Sequence, residues 1–182
     1  MRPLLCVEEE YLVVDPETRR TTPRAEEVVK AASAVLGERV TSEITRFQVE
    51  VHTAPAADLA EVAVRLRTAR RAVAEAARSC GLAVMASGTP LLGSAVPVPA
   101  GARHPRWPQA YGALHDEITV CALHVHVDVH DAEHAVLVGN HMRPWLPVLL
   151  ALAANSPFYA GRDTGYMSWR PLTWGRWPVA RA

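Results

Sequence analysis

Three stretches of the chain set carboxylates and imidazoles at alternate positions. Residues 6–15 read CVEEEYLVVD, with Glu8 and Glu10 two apart. Residues 47–53 read FQVEVHT, with Gln48, Glu50 and His52 alternating with Phe47, Val49 and Val51. Residues 122–130 read ALHVHVDVH, with His124, His126, Asp128 and His130 alternating with Leu123, Val125, Val127 and Val129. Alternate side chains of a strand share a face. Each stretch, as a strand, therefore turns one polar and one apolar side outward. The plain explanation is an antiparallel sheet with one wet face. If the three are neighbours, Glu8, Glu10, Glu50, His124 and His126 crowd together. Carboxylates a few ångströms apart hold a proton between them or take a cation. An acid-rich set with an occasional imidazole suits Mg²⁺ or Mn²⁺. Glu43, a short turn before the second stretch, can fold back to the same place. Zinc is the rival ion, but His124-x-His126 is a weak zinc pattern and no third His or Cys stands at ligand spacing.

The elements that must position these residues follow from periodicity and punctuation. Residues 4–14 read as a strand, closed by the Asp15-Pro16 turn. Thr22-Pro23 opens a helix that Gly37 ends. Residues 58–80 form a long amphipathic helix with Leu59, Val62, Leu66, Ala69 and Val73 on one stripe and Gly81 as its cap. A short strand at 82–87 precedes a loop at 88–108 with five prolines and three glycines, a length typical of a functional lid or a disordered segment. Residues 109–117 read as helical. Asp131 caps a helix to about Asn155, interrupted near Pro144 and Pro147. Residues 156–182 are rich in turns. The expected class is α+β: an antiparallel sheet with a polar active-site face and helices packed on the other face.

Composition narrows the function classes. With 182 residues, 49% hydrophobic and 21% charged, the chain suits one domain, 1–182. Nineteen basic residues balance nineteen acidic ones, so neither nucleic acid nor an anionic membrane is an expected partner. No apolar run approaches the roughly 20 residues of a membrane helix. Three scattered cysteines and an acidic start at Glu8 to Glu10 suit a cytoplasmic location. There is no GxxxxGK[ST], GxGxxG or GxSxG. Cys121 reads as a small core residue.

Taken in order, Val7-Glu8-Glu9-Glu10-Tyr11, Glu43 with Gln48-Val49-Glu50, and the run from Cys121 to Val127 form a pattern. Ala154-Asn155-Ser156-Pro157-Phe158, Gly161-Arg162-Asp163-Thr164-Gly165-Tyr166 and Ser168-Trp169-Arg170 extend it. Together they resemble the carboxylate–amine ligases of the YbdK type, also called glutamate–cysteine ligase family 2, of the glutamine synthetase-like superfamily. The resemblance implies ATP, Mg²⁺ (or Mn²⁺), amino-acid carboxylate and amine substrates, and an amide formed through an acyl phosphate. It implies Glu10, Glu43 and Glu50 as ligands of one metal and Glu8 and His124 as ligands of another. It places His126 near the phosphates and Arg170 at the γ-phosphate or the substrate carboxylate.

Two departures stand out. Ala122 replaces a glycine usual in the family, and the resemblance covers only the N-terminal half of family members. A homo-oligomer, or pairing with a C-terminal fragment, is therefore expected. The alternative function is a catalytically incomplete short form that binds metal or nucleotide, or pairs with a partner.

Overall fold

The computed structural model describes residues 2–92, 107–116 and 119–177. Strand β1 (Leu5–Val14) is the centre of the sheet. Helix α1 (Ala25–Leu36) follows, and Gly37, at φ +61°, ends it in a backbone conformation that disfavours a side chain. A hairpin of β2 (Val40–Ser42) and β3 (Gln48–His52) comes next. Helix α2 (Leu59–Ser79) leads to β4 (Ala83–Met85). Asp58 caps α2 by accepting from the Ala60 N–H at 2.6 Å. Short helices α3 (Trp107–Tyr111) and α4 (Ala113–Asp116) precede β5 (Leu123–Val127). Helices α5 (Ala132–Met142) and α6 (Leu146–Leu152) are separated by a 3₁₀ turn at Arg143–Trp145. The hairpin β6 (Phe158–Tyr159) and β7 (Arg162–Asp163) and the helix α7 (Arg170–Trp174) complete the described chain.

All pairings in the main sheet are antiparallel. β3 lies along one edge of β1, with β2 outside it. β4 and β5 share the opposite edge: β4 pairs with Leu12 to Val14, β5 with Leu5 to Glu9. The rear face carries the main core. Tyr11 and Val13 of β1 and Val49 and Val51 of β3 pack against Val28, Ala32 and Leu36 of α1 and Ala69, Val73 and Ala76 of α2. The α+β expectation holds, and so does the rear layer of helices over β1 and β3.

Several boundaries differ from the sequence reading. The first helix starts at Ala25 rather than at Pro23, and the chain before it is still bonded to β1, the Thr22 N–H donating to the Val13 carbonyl at 3.0 Å. Leu59 lies outside the buried stripe of α2, 71% exposed on its first turn. Phe47 packs with Leu12, Val14 and Cys121 rather than with Val49 and Val51. It precedes the first ladder residue of β3, so the alternation does not extend to it. The helix expected at 109–117 is broken by Gly112 at φ +53°. The 88–108 lid falls largely on residues 93–106, outside those described.

Among the described residues, nothing covers the apolar side of β5 or the helices that follow it. Val125 is 57% exposed, and among the described residues neither α5 nor α6 buries any side chain. No helix of the described residues is long and apolar enough to cross a membrane.

Candidate active site on the polar face of the sheet

The ladder registers decide which polar side chains meet. Glu10 of β1 is directly opposite Glu50 of β3. Glu8 is opposite His52 on one side and His124 on the other. His126 sits one step along the same face of β5, opposite Cys6. The tight β2–β3 turn returns Glu43 to this place, its N–H donating to the Gln48 carbonyl at 3.2 Å. Two groups of ligand atoms result, each within 4.8 Å of one another: Glu10, Glu43 and Glu50, and Glu8, His124 and His126. The structure thus brings six of the sequence-selected residues into two adjoining sets, with His126 beside Glu8 and His124.

Electrostatics in the first set are unfavourable without a cation. Burial, then the Glu43 charge, pushes the Glu10 carboxyl up to about 7, against the opposing pull of the Ala122 N–H and Arg170. Burial, then Glu43 and Glu8, pushes Glu50 up to about 8. Glu8 behaves oppositely. Burial acts upward, but hydrogen bonds from His126 and His124 outweigh it and hold Glu8 below the usual carboxylate range. Three carboxylates forced together as an oxygen-donor set fit a hard divalent ion such as Mg²⁺ or Mn²⁺. They would lose their bound protons to it.

Arg170 enters from the far end of the chain. Its Nε donates to the Cys121 carbonyl at 2.7 Å, and its backbone N–H to Ser156 Oγ at 3.0 Å. Its guanidinium lies 5.9 Å from the centre of the Trp174 ring. Gly88 lies beneath it: a Cβ there would stand 3.2 Å from both Arg170 Cδ and Ser156 Cβ. A side chain at 88 would press on the arginine. Glu10, Glu43, His124, Asn155 and Arg170 line one cleft of about 1130 Å³. Ala122, where the resemblance expects glycine, accepts from the Glu10 N–H at 3.0 Å and donates to Glu10 Oε2 at 3.1 Å. The methyl group does not prevent that close approach.

Other residues find different places. Gln48 shares the polar face but is spent internally, donating to the Val120 carbonyl at 2.9 Å. Buried Cys121 has its thiol pushed well up by desolvation, so it is no nucleophile. β5 ends at Val127, so His130 leaves the histidine face and its ring packs against His134, centroids 5.5 Å apart. Sequence reading missed the rear side of β1. Glu9 is buried there, bonded by Tyr11 Oη and by a bidentate Arg70 from α2 at 2.8 and 2.9 Å. Period-2 facing put Glu9 on the apolar side without saying what would neutralise it. It also missed Ser156, fully buried and bonded to Ser168 Oγ at 3.0 Å, as the anchor of Arg170.

Solved structures share this architecture. A bifunctional glutathione synthetase from Pasteurella multocida superposes with a TM-score of 0.66 at 14% identity, covering 86% of this chain and 24% of that one. A glutamate–cysteine ligase from Francisella tularensis, solved in complex with AMP, gives 0.56 at 13% identity, covering 80% and 30%. At these identities the likeness is one of fold. The sequence goes further: residues 4–182 match the model of glutamate–cysteine ligase family 2, and the chain belongs to that family. A Nocardia farcinica protein named, by inference, glutamate–cysteine ligase 2-1 is 44% identical over 98% of this chain and 46% of its own length. A Saccharopolyspora erythraea counterpart is 43% identical over 97% and 47%. The chain spans about half the length of the curated relatives it matches.

Proposed function

We propose that the chain supplies the metal-binding floor of an ATP-dependent carboxylate–amine ligase of glutamate–cysteine ligase type. The observation that carries this reading is the convergence of Glu10, Glu43 and Glu50, two of them with raised proton affinity, next to the Glu8–His124 pair, at a cleft that Glu10, Glu43, His124 and Arg170 line. Phosphoryl transfer relies on cations that neutralise charge on the phosphate oxygens and fix them in line. In this reading Glu10, Glu43 and Glu50 hold one Mg²⁺ (or Mn²⁺), and Glu8 and His124 another. His126 and Arg170 contact the nucleotide phosphates or the substrate carboxylate, which suits the bidentate fork of an arginine. The γ-phosphoryl group of ATP passes to a carboxylate oxygen, giving an acyl phosphate and ADP. An amine attacks the acyl carbon, phosphate leaves, and the amine loses a proton to give the amide. Family membership and the AMP complex of the Francisella tularensis ligase support nucleotide use. A cytoplasmic location accords with these substrates.

A second reading is favoured by the uncovered faces of β5, α5 and α6. The chain is then a catalytically incomplete unit that acts through a partner, either another copy or a polypeptide equivalent to the relatives' remaining half. The test is a screen of amino-acid pairs with ATP and Mg²⁺, reading ADP and amide. It is run on the chain alone and with the second half of the Nocardia farcinica relative added. The ligase reading expects amide synthesis that depends on Glu10 and His124. Phosphate release without amide in every pair would replace it with ester or nucleotide hydrolysis.

A further inference from the structure

We infer that Gly88 and Ser156 are positioning residues that set the reach of Arg170 into the cleft, so that its terminal nitrogens meet a carboxylate or phosphate oxyanion beside Glu10. The inference rests on the reading of Arg170 as an anion-binding group of the ligase, and adds the two residues that aim it.

A closed ring of contacts between four segments carries it. The Gly88 N–H donates to the Asn155 carbonyl at 3.0 Å, and the Gly88 carbonyl accepts from the Cys121 N–H at 3.1 Å. The Cys121 carbonyl in turn accepts from Arg170 Nε at 2.7 Å. Ser156, next to Asn155, closes the ring, its Oγ accepting from the Arg170 backbone N–H at 3.0 Å. The ring is tied to the carboxylate floor, because Ala122, next to Cys121, donates to Glu10 Oε2 at 3.1 Å. Arg170 lines the same cleft as Glu10, and its charge acts on that carboxyl. Ser156 is fully buried, and Gly88 leaves no spare room: an added Cβ would stand 3.2 Å from Arg170 Cδ and 3.3 Å from Arg170 Cβ. The Trp174 ring flanks the guanidinium. These contacts engage the backbone, the stem and Nε. Among the described residues neither terminal nitrogen has a hydrogen-bond partner, so their N–H groups remain for a ligand. An arginine held in this way loses little further rotamer freedom on binding, and its fork matches two oxygens of one anion.

The test uses the purified 182-residue chain, labelled with ¹⁵N-arginine and held in excess Mg²⁺. Inorganic phosphate and acetate are titrated separately. The Arg170 Nε–H resonance, assigned by its loss in Arg170→Ala, is followed throughout. The parent should show a slowly exchanging Nε–H that moves as the anion binds. Gly88→Ala keeps every bonding group and only crowds the stem, whereas Ser156→Ala removes the acceptor without adding bulk. Each should shift that resonance, speed its exchange and weaken the anion by roughly 10- to 100-fold, as losing a hydrogen bond to a charged group does. Thr89→Val controls for stability alone. Thr89 is fully buried beside Gly88 and bonds to the Phe158 carbonyl at 2.9 Å rather than to Arg170. Its replacement should lower the melting point and leave the resonance and the anion affinity unchanged. Tighter phosphate assigns Arg170 to the transferred phosphoryl group, tighter acetate to the acid substrate, and either sustains the inference. An unmoved resonance and full anion affinity in both Gly88→Ala and Ser156→Ala, with affinity lost in Arg170→Ala, would overturn the inference and leave the ligase reading in place. Anion affinity unchanged in Arg170→Ala would overturn it together with the arginine's part in that reading.

Discussion

Glu10 and Glu50 stand directly across the β1–β3 ladder from each other, and Glu43 adds a third carboxylate within 4.8 Å. Like charges placed opposite one another weaken a sheet. The arrangement is therefore a local cost that a bound cation or bound protons must offset, and it yields a pH signature.

Both carboxyls have an ordinary value of 4.5, and folding raises them to about 7 and about 8. Between these limits the folded state holds more protons than the unfolded one, so stability falls as pH rises. Glu8, held below its ordinary value, works the other way and costs stability only on the acid side. In metal-free buffer the melting point should peak near about pH 5 and decline toward about pH 8. Added Mg²⁺ should flatten the decline. Melts across this range, with and without chelator, check the sign.

Glu50→Gln removes one of the opposed charges. The metal-free variant should melt higher than the parent at about pH 8, and should gain less from Mg²⁺. A variant that is less stable in the absence of metal would show that the ladder tolerates the charge by another route.

Arg70→Ala should destabilise the chain through the rear of β1. It strands the buried Glu9 carboxylate with Tyr11 as its remaining partner. Breaking a fully buried pair costs roughly 3–5 kcal/mol. Arg70 is about half exposed, so the expected loss is smaller, about 2 kcal/mol. Denaturant midpoints measure it, and Mg²⁺ affinity should not move.

How far the sequence discloses this site depends on the kind of signal. Glu8, Glu10, Glu50, His124 and His126 were legible because period-2 alternation fixes facing within a strand. The α2 cap at Asp58 and the break near Pro144 were legible from local chemistry. The contact of Arg70 with Glu9 was not, because it joins residues 61 apart through the packing of α2 on β1. Phe47 and His130 were misplaced where a strand ended a residue or more sooner than its alternating pattern. The Gly88–Ser156–Arg170 contact depends on three distant segments meeting, which periodicity does not encode.

The uncovered apolar side of β5 and of α5–α6 predicts association. Val125 and Leu149 are exposed at 57% and 44%, and among the described residues β5 pairs with β1 alone. An open strand edge beside an apolar surface invites a second chain. Light scattering on the eluting chain should show a dimer or larger, and Val125→Glu with Leu149→Glu should shift it to monomer. A stable monomer without these changes would contradict the expectation.

The central claim is that the polar face of the sheet holds a divalent cation. Thermal unfolding of the metal-free chain in rising Mg²⁺ tests it most directly, with Glu10→Gln as reference. At about 100 times the dissociation constant each bound ion should add roughly 2.7 kcal/mol, or roughly 5–10 °C, to the parent, and the variant should lose the share that Glu10, Glu43 and Glu50 supply. A midpoint that stays fixed across a wide range of both Mg²⁺ and Mn²⁺, or one that rises equally in parent and variant, would contradict the account.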